Sequence, residues 1–340
     1  MTQTLVTGGN GFIGQHLVAA LLGRGRRVRV LDRRPAADAP PGAQYIEGSV
    51  LDRRVVHEAL DDVGEVYHLA ALPGMWMPDK DDFHAVNCRG TEIVIAAARE
   101  RGVARLLYCS TESILFGASP TPSVITEQVR TTPEEMPGGY THSKMLAEQC
   151  ALQAAASGFP LVIASPTMPI GPHQGRFTPP TRMLQYFVNR RIQIYLDFVM
   201  NLVDVRDVAA GLLLAMERGQ NGHRYILGGE DISLKKLLDL MEAISGRRVP
   251  RVQISGAIAQ ATAAMMEFVA DHVTRRPPAA TVEGVRMALR ARPLSIEKSR
   301  RELGYAPRPI EHALREAITS LLAEPNKSRY PSVASYKSEF

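Results

Sequence analysis

The sequence predicts an α/β protein with a doubly wound parallel sheet, followed by a smaller and mostly helical C-terminal lobe. In the first half of the 340-residue chain, short β-like runs alternate with helical stretches, the pattern of a parallel sheet covered on both faces. A glycine-rich turn separates the first apolar run from the first amphipathic helix. From about residue 233 the pattern turns helical and more variable, which predicts the lobe.

The predicted elements follow one another in regular order. Strands are predicted over residues 4–7, 27–31, 43–46, 65–69, 105–109, 161–164 and 225–227, and helices over 13–22, 83–101 and 140–158. After residue 164 the chain is rich in proline, which breaks regular structure, so we expect loops over a site there.

These elements predict a division of the chain into two parts. The sheet domain covers residues 1–165 and is rejoined by about 201–228. The lobe comprises 166–200 and 229–325. Residues 326–340 are polar and are predicted to form a flexible tail.

Composition is that of a globular protein and excludes several classes of function. Hydrophobic residues make up 45% and charged residues 22%, which argues against disorder. The net charge of +5 comes from scattered basic residues that are not interleaved with aromatic residues, so we expect no nucleic-acid partner. No uncharged apolar run reaches the ~18 residues that a membrane span needs.

Cysteine usage and the start of the chain predict a cytoplasmic protein. The three cysteines are odd in number and far apart, which suits a reducing compartment and predicts no disulfide framework. The first strand begins at about residue 4, so we expect no signal peptide. The cysteines and histidines lack metal-ligand spacing, and no metal is predicted.

The glycine-rich turn predicts a dinucleotide site. Gly8, Gly11 and Gly14 lie between a strand and a helix, where glycines permit a tight turn and close approach of a pyrophosphate to the helix N-terminus. Asp32 ends the second strand, where a carboxylate can bind the adenosine ribose 2′-hydroxyl. This predicts NAD, while Arg33 and Arg34 leave NADP possible.

A second motif predicts proton transfer. Tyr140 and Lys144 are four residues apart on one helix face, so the ammonium lies one turn from the phenol. A nearby cation stabilises a phenolate and lowers the pKa of a tyrosine towards neutrality. Ser110 or Thr111, at the end of the fifth strand, can supply a hydroxyl to a substrate oxygen.

Taken together, the motifs resemble the extended short-chain dehydrogenase/reductases, the NAD-dependent epimerase/dehydratase group. The resemblance covers residues from about 3 to about 320 and is carried by Thr7-Gly-Gly-Asn-Gly-Phe-Ile-Gly14, His68-Leu-Ala-Ala71, Asn87-Cys-Arg-Gly-Thr91, Ser110-Thr111, Tyr140 with Lys144, and Val203-Asp-Val-Arg-Asp-Val208. A finer similarity to the dihydroflavonol-reductase, 3β-hydroxysteroid-dehydrogenase and hopanoid-associated branch is carried by the segments 166–172, 225–230, 281–287 and 302–308.

The resemblance implies a Rossmann fold, a Ser/Thr–Tyr–Lys triad and a homodimer formed through helices 83–101 and 140–158. Aligned from the strand, the catalytic hydroxyl falls on Thr111, whereas counting back from Gly117 reaches Glu112, so the loop holds an insertion. We assign Thr111, because the sheet fixes the length of the strand. The implied cofactor site comprises Gly8, Gly11, Phe12, Ile13, Gly14, Asp32, Arg33, Ser49, Val50, Leu69, Ala70, Ala71, Tyr140, Lys144 and Pro166.

Three departures from the group bear on the substrate. Ser49-Val50 stands where an acidic residue often meets the adenine. The arginines of segment 290–297 lack the aspartate that accompanies a diphosphate clamp, which disfavours a nucleotide-sugar substrate. Glu112 is half of the acidic pair found in dehydratases of the group, and it is interpreted as support for the loop.

Apolar segments predict the character of the substrate. Met75 and Trp76 follow the fourth strand, in the crevice beyond the carboxyl ends of the sheet, and with Thr111, Glu112 and Thr167 form the predicted substrate site. Segment 254–273 is rich in Ala and Met. It is either an amphipathic helix packed on the domain, a lid over a lipophilic substrate, or a helix touching a membrane surface.

The predicted function is that of an NAD(P)-dependent oxidoreductase interconverting a secondary alcohol and a ketone. The substrate is a lipophilic small molecule such as a sterol, terpenoid or polyketide, and the triad is Thr111, Tyr140 and Lys144. Two alternatives remain open: a nucleotide-sugar epimerase or dehydratase with tightly bound NAD, and a non-catalytic NAD(P)-binding regulator.

Overall fold

The computed structural model describes residues 3–33, 41–117, 122–172, 178–189 and 192–323. Arg34 and the predicted tail, 326–340, lie outside these residues. The strands are β1 Gln3–Thr7, β2 Val28–Asp32, β3 Gln44–Glu47, β4 Val63–His68, β5 Arg105–Cys109, β6 Leu161–Pro166, β7 Met168–Ile170, β8 Gln193–Tyr195, β9 Val199–Asp204, β10 Arg224–Leu227, β11 Glu230–Ser233 and β12 Arg251–Gln253.

The helices alternate with the strands in the first half of the chain and dominate the last third. They are α1 Phe12–Gly23, α2 Arg53–Ala59, α3 Asp81–Phe83, α4 Gly90–Glu100, α5 Gly139–Ala156, α6 Pro179–Asn189, α7 Val205–Arg218, α8 Leu234–Ser245, α9 Gly256–Val269, α10 Val282–Arg290, α11 Glu297–Leu303 and α12 Ile310–Ala323.

A seven-stranded parallel sheet, in the order β10-β6-β5-β4-β1-β2-β3, forms the centre of the molecule. Its middle strands β1, β5 and β6 are buried along almost their whole length because helices cover both faces. On one face α1 and α7 bury residues such as Leu17 and Leu212. On the other, α4 and α5 bury residues such as Val94 and Ala151. The predicted doubly wound α/β fold is confirmed.

The C-terminal lobe is mostly helical and contains two small sheets, β11-β9-β7 and β12-β8. Its core lies among α6, α8 and α12, with Leu184, Leu237 and Leu314 at its centre. The proline-rich stretch, expected to form loops, contains β7 and α6. Pro179 and Pro180 occupy the first turn of α6, where an amide hydrogen has no intrahelical partner.

Two predicted elements differ in detail from the structure. The helix expected over 83–101 begins at Asp81 and contains a π-helical turn, His84–Arg89, before α4. Residues 201–204, expected to rejoin the main sheet, belong to β9 of the small sheet, while α7 packs on α1 and β10 pairs with β6. Among the described residues, no helix is both long enough and apolar enough to cross a bilayer.

Candidate active site

The glycine turn is shaped to admit a phosphate group. Gly8 has φ +70°, and a side chain there would lie 2.7 Å from the backbone nitrogen of Ala70. A side chain on Gly14 would lie 2.2 Å from the carbonyl oxygen of Gly8. Helix α1 begins at Phe12, after the N-cap Gly11, and no side chain caps its N-terminus. The positive end of the helix dipole is therefore available to an anion.

Asp32 is the last residue of β2 and lies beside this turn. Its carboxylate accepts hydrogen bonds from the backbone nitrogens of Asn10, at 3.0 Å, and Arg33, at 2.8 Å. These bonds fix the carboxylate next to the glycine turn, where a ribose hydroxyl would bind. The residues present therefore fit a dinucleotide with an unphosphorylated ribose.

A chain of buried hydrogen bonds supports the floor of this site. The Thr7 hydroxyl lies 2.7 Å from Nδ1 of His68, and Nε2 of His68 lies 3.0 Å from the Thr91 hydroxyl. The Thr91 hydroxyl donates to the carbonyl of Asn87, at 2.6 Å. The backbone nitrogen of Ala70 donates to the Thr7 hydroxyl, at 3.3 Å. Residues 69–71, predicted to contact the cofactor, are thereby held against the glycine turn.

The structure brings Tyr140 and Thr111 together at the carboxyl end of β5. Both side chains are buried, and the Thr111 hydroxyl lies near enough to affect the pKa of Tyr140. Thr111 also caps a short 3₁₀ turn, Glu112–Leu115, by accepting from the backbone nitrogen of Ser113 at 3.2 Å. The hydroxyl selected by counting along the strand is therefore the one that meets the tyrosine.

The pKa of Tyr140 lies above its ordinary value, opposite to the direction expected from the sequence. Burial is the main cause, the neighbouring Thr111 hydroxyl acts in the other direction, and the charges of Glu112 and Glu283 raise the pKa further. Lys144 donates to the carbonyl of Cys109 at 2.8 Å, and its ammonium lies 4.6 Å from the centre of the Tyr108 ring. Burial lowers the pKa of Lys144 to about 8.

Glu112 is buried next to Thr111, whose hydroxyl lies 3.2 Å from its Oε2 atom. Burial raises the pKa of Glu112 to about 7, although hydrogen bonds from its own backbone and from Thr111 oppose the change. This carboxyl therefore titrates near neutral pH, within the same group of side chains as Tyr140.

Tyr140 has apolar neighbours. It belongs to a buried cluster with residues of the loop after β4, of α3 and of the lobe: Leu72, Trp76, Met77, Phe83 and Ala270. Trp76 donates from Nε1 to Oδ1 of Asp271, at 2.7 Å, so this loop is attached to the lobe. Met75 lies beside it, near Gly284.

Helix α5, which carries Tyr140 and Lys144, is capped from the lobe. Glu283 of α10 accepts from the backbone nitrogens of Tyr140, at 3.2 Å, and Thr141, at 2.7 Å, and from the Thr141 hydroxyl, at 2.7 Å. A side chain at Gly138 would lie 2.4 Å from Oε2 of Glu283. Sequence reasoning missed this residue, because its partner is more than 140 positions away.

Asn87, in the π-helical turn, links the loop after β4 to α5. It accepts from the backbone nitrogen of Leu72, at 2.7 Å, and donates to the hydroxyl of Ser143, at 3.0 Å. Ser143 in turn donates to the carbonyl of Tyr140, at 2.7 Å. The signal for this link in the sequence was the spacing of two polar residues, Asn87 and Thr91, on one helix face. In the structure both residues are buried.

The remaining predicted residues are more dispersed. The Val50 side chain packs in the core against Gly90, and the Ser49 hydroxyl accepts from the backbone nitrogen of Leu51 at 3.2 Å. Pro166 ends β6, and the buried Thr167 hydroxyl donates to Asn201 at 3.0 Å. Among the described residues, no group of three histidine, cysteine or acidic residues could hold a metal ion.

Comparison with known proteins identifies the family. The model of the NAD dependent epimerase/dehydratase family matches residues 4–228, which include the glycine turn and the Tyr140–Lys144 pair. The chain belongs to this family. The crystal structure of gox2253 superposes with a TM-score of 0.81 at 31% identity, covering 95% of this chain and 99% of that one.

Three relatives carry the names of two reductases and of a sterol demethylase protein. A Synechocystis relative named as a dihydroflavonol 4-reductase is 34% identical, over 92% of each chain. Sterol demethylase protein B of Methylococcus capsulatus is 30% identical, over 93% of this chain and 97% of its own. A 4-hydroxy-2-methyl-3-oxo-4-farnesyl-3,4-dihydroquinoline-1-oxide ketoreductase of Stigmatella aurantiaca is 32% identical, over 93% and 96%.

The fold is also shared with sugar-nucleotide enzymes. The UDP-glucose 4-epimerase of Thermus thermophilus, solved as a complex with NAD, superposes with a TM-score of 0.73 at 23% identity, covering 94% of this chain and 99% of its own. The named relatives and the family match confirm the predicted enzyme class, an oxidoreductase of an NAD-dependent family.

Proposed function

We propose that the protein interconverts a secondary alcohol and a ketone on a lipophilic substrate, with NAD as the redox partner. The observation that carries this proposal is the position of Tyr140. It lies beside Thr111 and is packed in a buried apolar cluster with Trp76 and Phe83. A proton donor and acceptor with apolar surroundings suits a carbon–oxygen centre on an apolar skeleton.

The residues that would hold the cofactor are those of the glycine turn, the N-terminus of α1 and Asp32. Bound NAD supplies the hydride acceptor, or as NADH the donor, at C4 of its nicotinamide. A 2′-phosphate placed beside the Asp32 carboxylate would be repelled, which favours NAD. Arg33 follows immediately, is exposed, and is the described basic residue that could offset this repulsion.

In the mechanism, Tyr140 moves the proton and its neighbours position the reacting oxygen. For oxidation, the Tyr140 phenolate takes the proton of the substrate hydroxyl as the carbinol hydrogen leaves with its electron pair; for reduction, the phenol returns that proton. The Thr111 hydroxyl orients the substrate oxygen. Lys144 donates to the carbonyl of Cys109, which leaves further ammonium hydrogens for the nicotinamide ribose.

The arginines near the site support an apolar substrate over a nucleotide sugar. Arg286 donates to the carbonyl of Pro137 at 3.2 Å, and Arg290 donates to the carbonyl of Glu135 at 2.6 Å. Both side chains therefore bind the loop before α5, which accounts for these two arginines without a diphosphate. The names of the relatives, which include a farnesylated ketone and sterols, agree with this substrate class.

The test is turnover of lipophilic ketones and secondary alcohols with NADH, NADPH and their oxidised forms, monitored by nicotinamide absorbance. We expect a stoichiometric change with at least one lipophilic substrate and a preference for NAD. Tyr140→Phe should reduce kcat/KM by about 10²- to 10⁴-fold. Tyr67→Phe removes the hydroxyl of a tyrosine buried elsewhere in the sheet and is the matched control.

The alternatives give different results in the same experiment. A nucleotide-sugar epimerase would convert its substrate without net change in absorbance. A non-catalytic regulator would bind the dinucleotide, detected by fluorescence, without turnover of any substrate. Undiminished turnover by the Tyr140→Phe variant would contradict the assigned mechanism.

A further inference from the structure

Exposed apolar side chains are concentrated on one helix of the lobe. Of the twelve large hydrophobic side chains that are exposed in the described part of the chain, five belong to α9 and the π-helical turn, Ala270–Thr274, that continues it. They are Ile258, Met265, Phe268, Val269 and Val273. Met265 and Phe268 are 63% and 62% exposed, and Val273 is 72% exposed. An apolar surface of this kind on a soluble domain marks an interaction site.

The two faces of this helix differ in composition. Its inner face is small and buried, with Ala259, Ala263 and Ala270 against the domain. Its two acidic residues lie at the sides of the helix, and both accept hydrogen bonds. Glu267 accepts from the backbone nitrogen of Val282 at 2.7 Å, and Asp271 accepts from Trp76. The outer face therefore carries apolar side chains and no carboxylate.

Positive charge adjoins the apolar face at its C-terminal end. The π-helical turn stops at Arg275, which has φ +53°, and Arg275 and Arg276 are both exposed. His272, also exposed, lies against Phe268, with ring centres 4.6 Å apart. An apolar helix face that ends in basic residues complements an anionic interface, with apolar side chains among the acyl chains and guanidinium groups at the phosphates.

We propose that the outer face of α9 and its π-helical turn docks the protein on the surface of an anionic lipid bilayer. Met265, Phe268 and Val273 enter the interface, and Arg275 and Arg276 bind lipid phosphates. The helix lies in the plane of the bilayer and does not cross it.

A second copy of the chain is a less suitable occupant. In a twofold contact the same patch is used on both subunits, so Arg275, Arg276 and His272 of each copy would face the outer face of the other. The outer face offers no carboxylate to neutralise them. A bilayer with anionic headgroups satisfies both the apolar and the basic residues.

The inner end of the docked helix reaches the active site. Ala270 belongs to the same buried cluster as Tyr140, and Asp271 holds Trp76 of that cluster. Docking would therefore bring the apolar side of Tyr140 close to the membrane surface, where a lipophilic substrate is concentrated. This consequence rests on the proposed function, whereas the docking does not.

The test is co-sedimentation of the full-length protein with vesicles of phosphatidylcholine alone or mixed with phosphatidylglycerol. We expect binding to the mixed vesicles that weakens as salt is raised, because the headgroup attraction is screened. The double variant Met265→Asp/Phe268→Asp should bind at least about tenfold more weakly. Val124→Asp, an exposed apolar residue outside the lobe, should bind like the wild type.

Arg275→Glu/Arg276→Glu is the second variant and should lose the preference for anionic lipid. Light scattering on the same proteins reports the oligomeric state. Absence of wild-type binding to the mixed vesicles, or undiminished binding by both double variants, would overturn the proposal. Conversion of a dimer to a monomer by Met265→Asp/Phe268→Asp would instead assign the face to a second copy. None of these readouts depends on finding the substrate.

Discussion

His68 is a buried histidine whose protonation state is fixed by its two threonine neighbours. The Thr91 hydroxyl gives its only hydrogen to the carbonyl of Asn87, so Nε2 of His68 must donate to Thr91. Nδ1 is then the acceptor for the Thr7 hydroxyl. Burial, assisted by the charge of Lys144, lowers the pKa of His68 to about 3. The imidazole is neutral at physiological pH and serves as a structural link between strands and helix.

This lowered pKa predicts acid sensitivity of defined sign. A histidine whose pKa is about 3 in the folded state and 6.5 when unfolded binds protons more readily after unfolding, so stability falls as pH falls through that window. Between pH 7.5 and 5, this group alone should reduce the free energy of unfolding by about 2 kcal/mol. Urea titrations at both pH values should show this contribution as the difference between the wild type and a variant that lacks the imidazole.

The control for this prediction is His68→Gln. The quantity to compare with the wild type is the change in the free energy of unfolding between the two pH values, not the absolute stability. Glu112, whose pKa is raised to about 7, acts in the opposite direction over the same range, because it binds protons more readily when folded. The loss should therefore be smaller in His68→Gln and larger in Glu112→Gln than in the wild type. Equal changes in all three proteins would contradict the assignment of His68.

The assignment of the catalytic hydroxyl can be tested at neighbouring positions. Thr111→Val removes the hydroxyl that meets Tyr140, and kcat/KM should fall by about 10²- to 10³-fold. Thr111→Ser should restore most of the activity, since it keeps the donor. Ser113→Ala, which removes a neighbouring hydroxyl, and Glu112→Gln should each reduce kcat/KM much less. A loss in Glu112→Gln as large as in Thr111→Val would instead place the catalytic group on Glu112.

Among the elements, α5 depends most on a distant partner. A helix N-terminus leaves backbone amide hydrogens without intrahelical acceptors, and a preceding side chain usually satisfies them. Here the N-cap is Gly138, which has no side chain, and Glu283 of α10 supplies the carboxylate. The catalytic helix and the lobe therefore share one buried contact.

Loss of this contact should affect both stability and the pH profile. Glu283→Ala leaves buried amide hydrogens unsatisfied and should lower the free energy of unfolding by about 1–3 kcal/mol. Glu283→Gln keeps one acceptor but removes a charge that raises the pKa of Tyr140. The rise of kcat/KM with pH in the oxidation direction should then shift to lower pH.

Glu311→Gln, at the exposed first turn of α12, is the matched control and should leave the profile unchanged. A pH profile for Glu283→Gln identical to that of the wild type would limit Glu283 to a structural role.

At the scale of the molecule, α4 and α5 lie side by side on one face of the sheet and bury residues of the same core. The outer face of α5 exposes Leu152, while Cys150 next to it is half-buried. These features suit the dimer expected from the family resemblance, in which these helices meet their counterparts.

The dimer gives a direct prediction. Light scattering should give a mass of twice 37.2 kDa for the wild type. Leu152→Glu places a charge in the expected contact and should convert the protein to a monomer. Val124→Glu, at an exposed apolar residue that adjoins the core on the opposite face of the sheet, should remain dimeric. A monomeric wild-type protein would contradict the expected interface.

The parts of the fold that sequence could predict are those set by local pattern. Strand β5 begins and ends where expected, because an apolar run between two helices has few alternatives. The glycine turn was recognisable because its spacing reflects contacts within seven residues. Other features depend on tertiary packing, which produces no periodic pattern in the sequence. They are the cap from Glu283, the hydrogen bond from Trp76 to Asp271 and the helix beginning at Pro179.

The dependence of α5 on Glu283 has a consequence for synthesis of the chain. Each strand of the main sheet has been made once residue 227 has left the ribosome, and this segment is nearly the one that matches the family model. Helix α5 acquires its N-terminal cap only after more than fifty further residues have been added. A nascent or truncated chain ending near residue 228 could hold the dinucleotide while its tyrosine helix is still frayed. During synthesis the chain would therefore become able to bind the cofactor before it becomes able to catalyse the reaction.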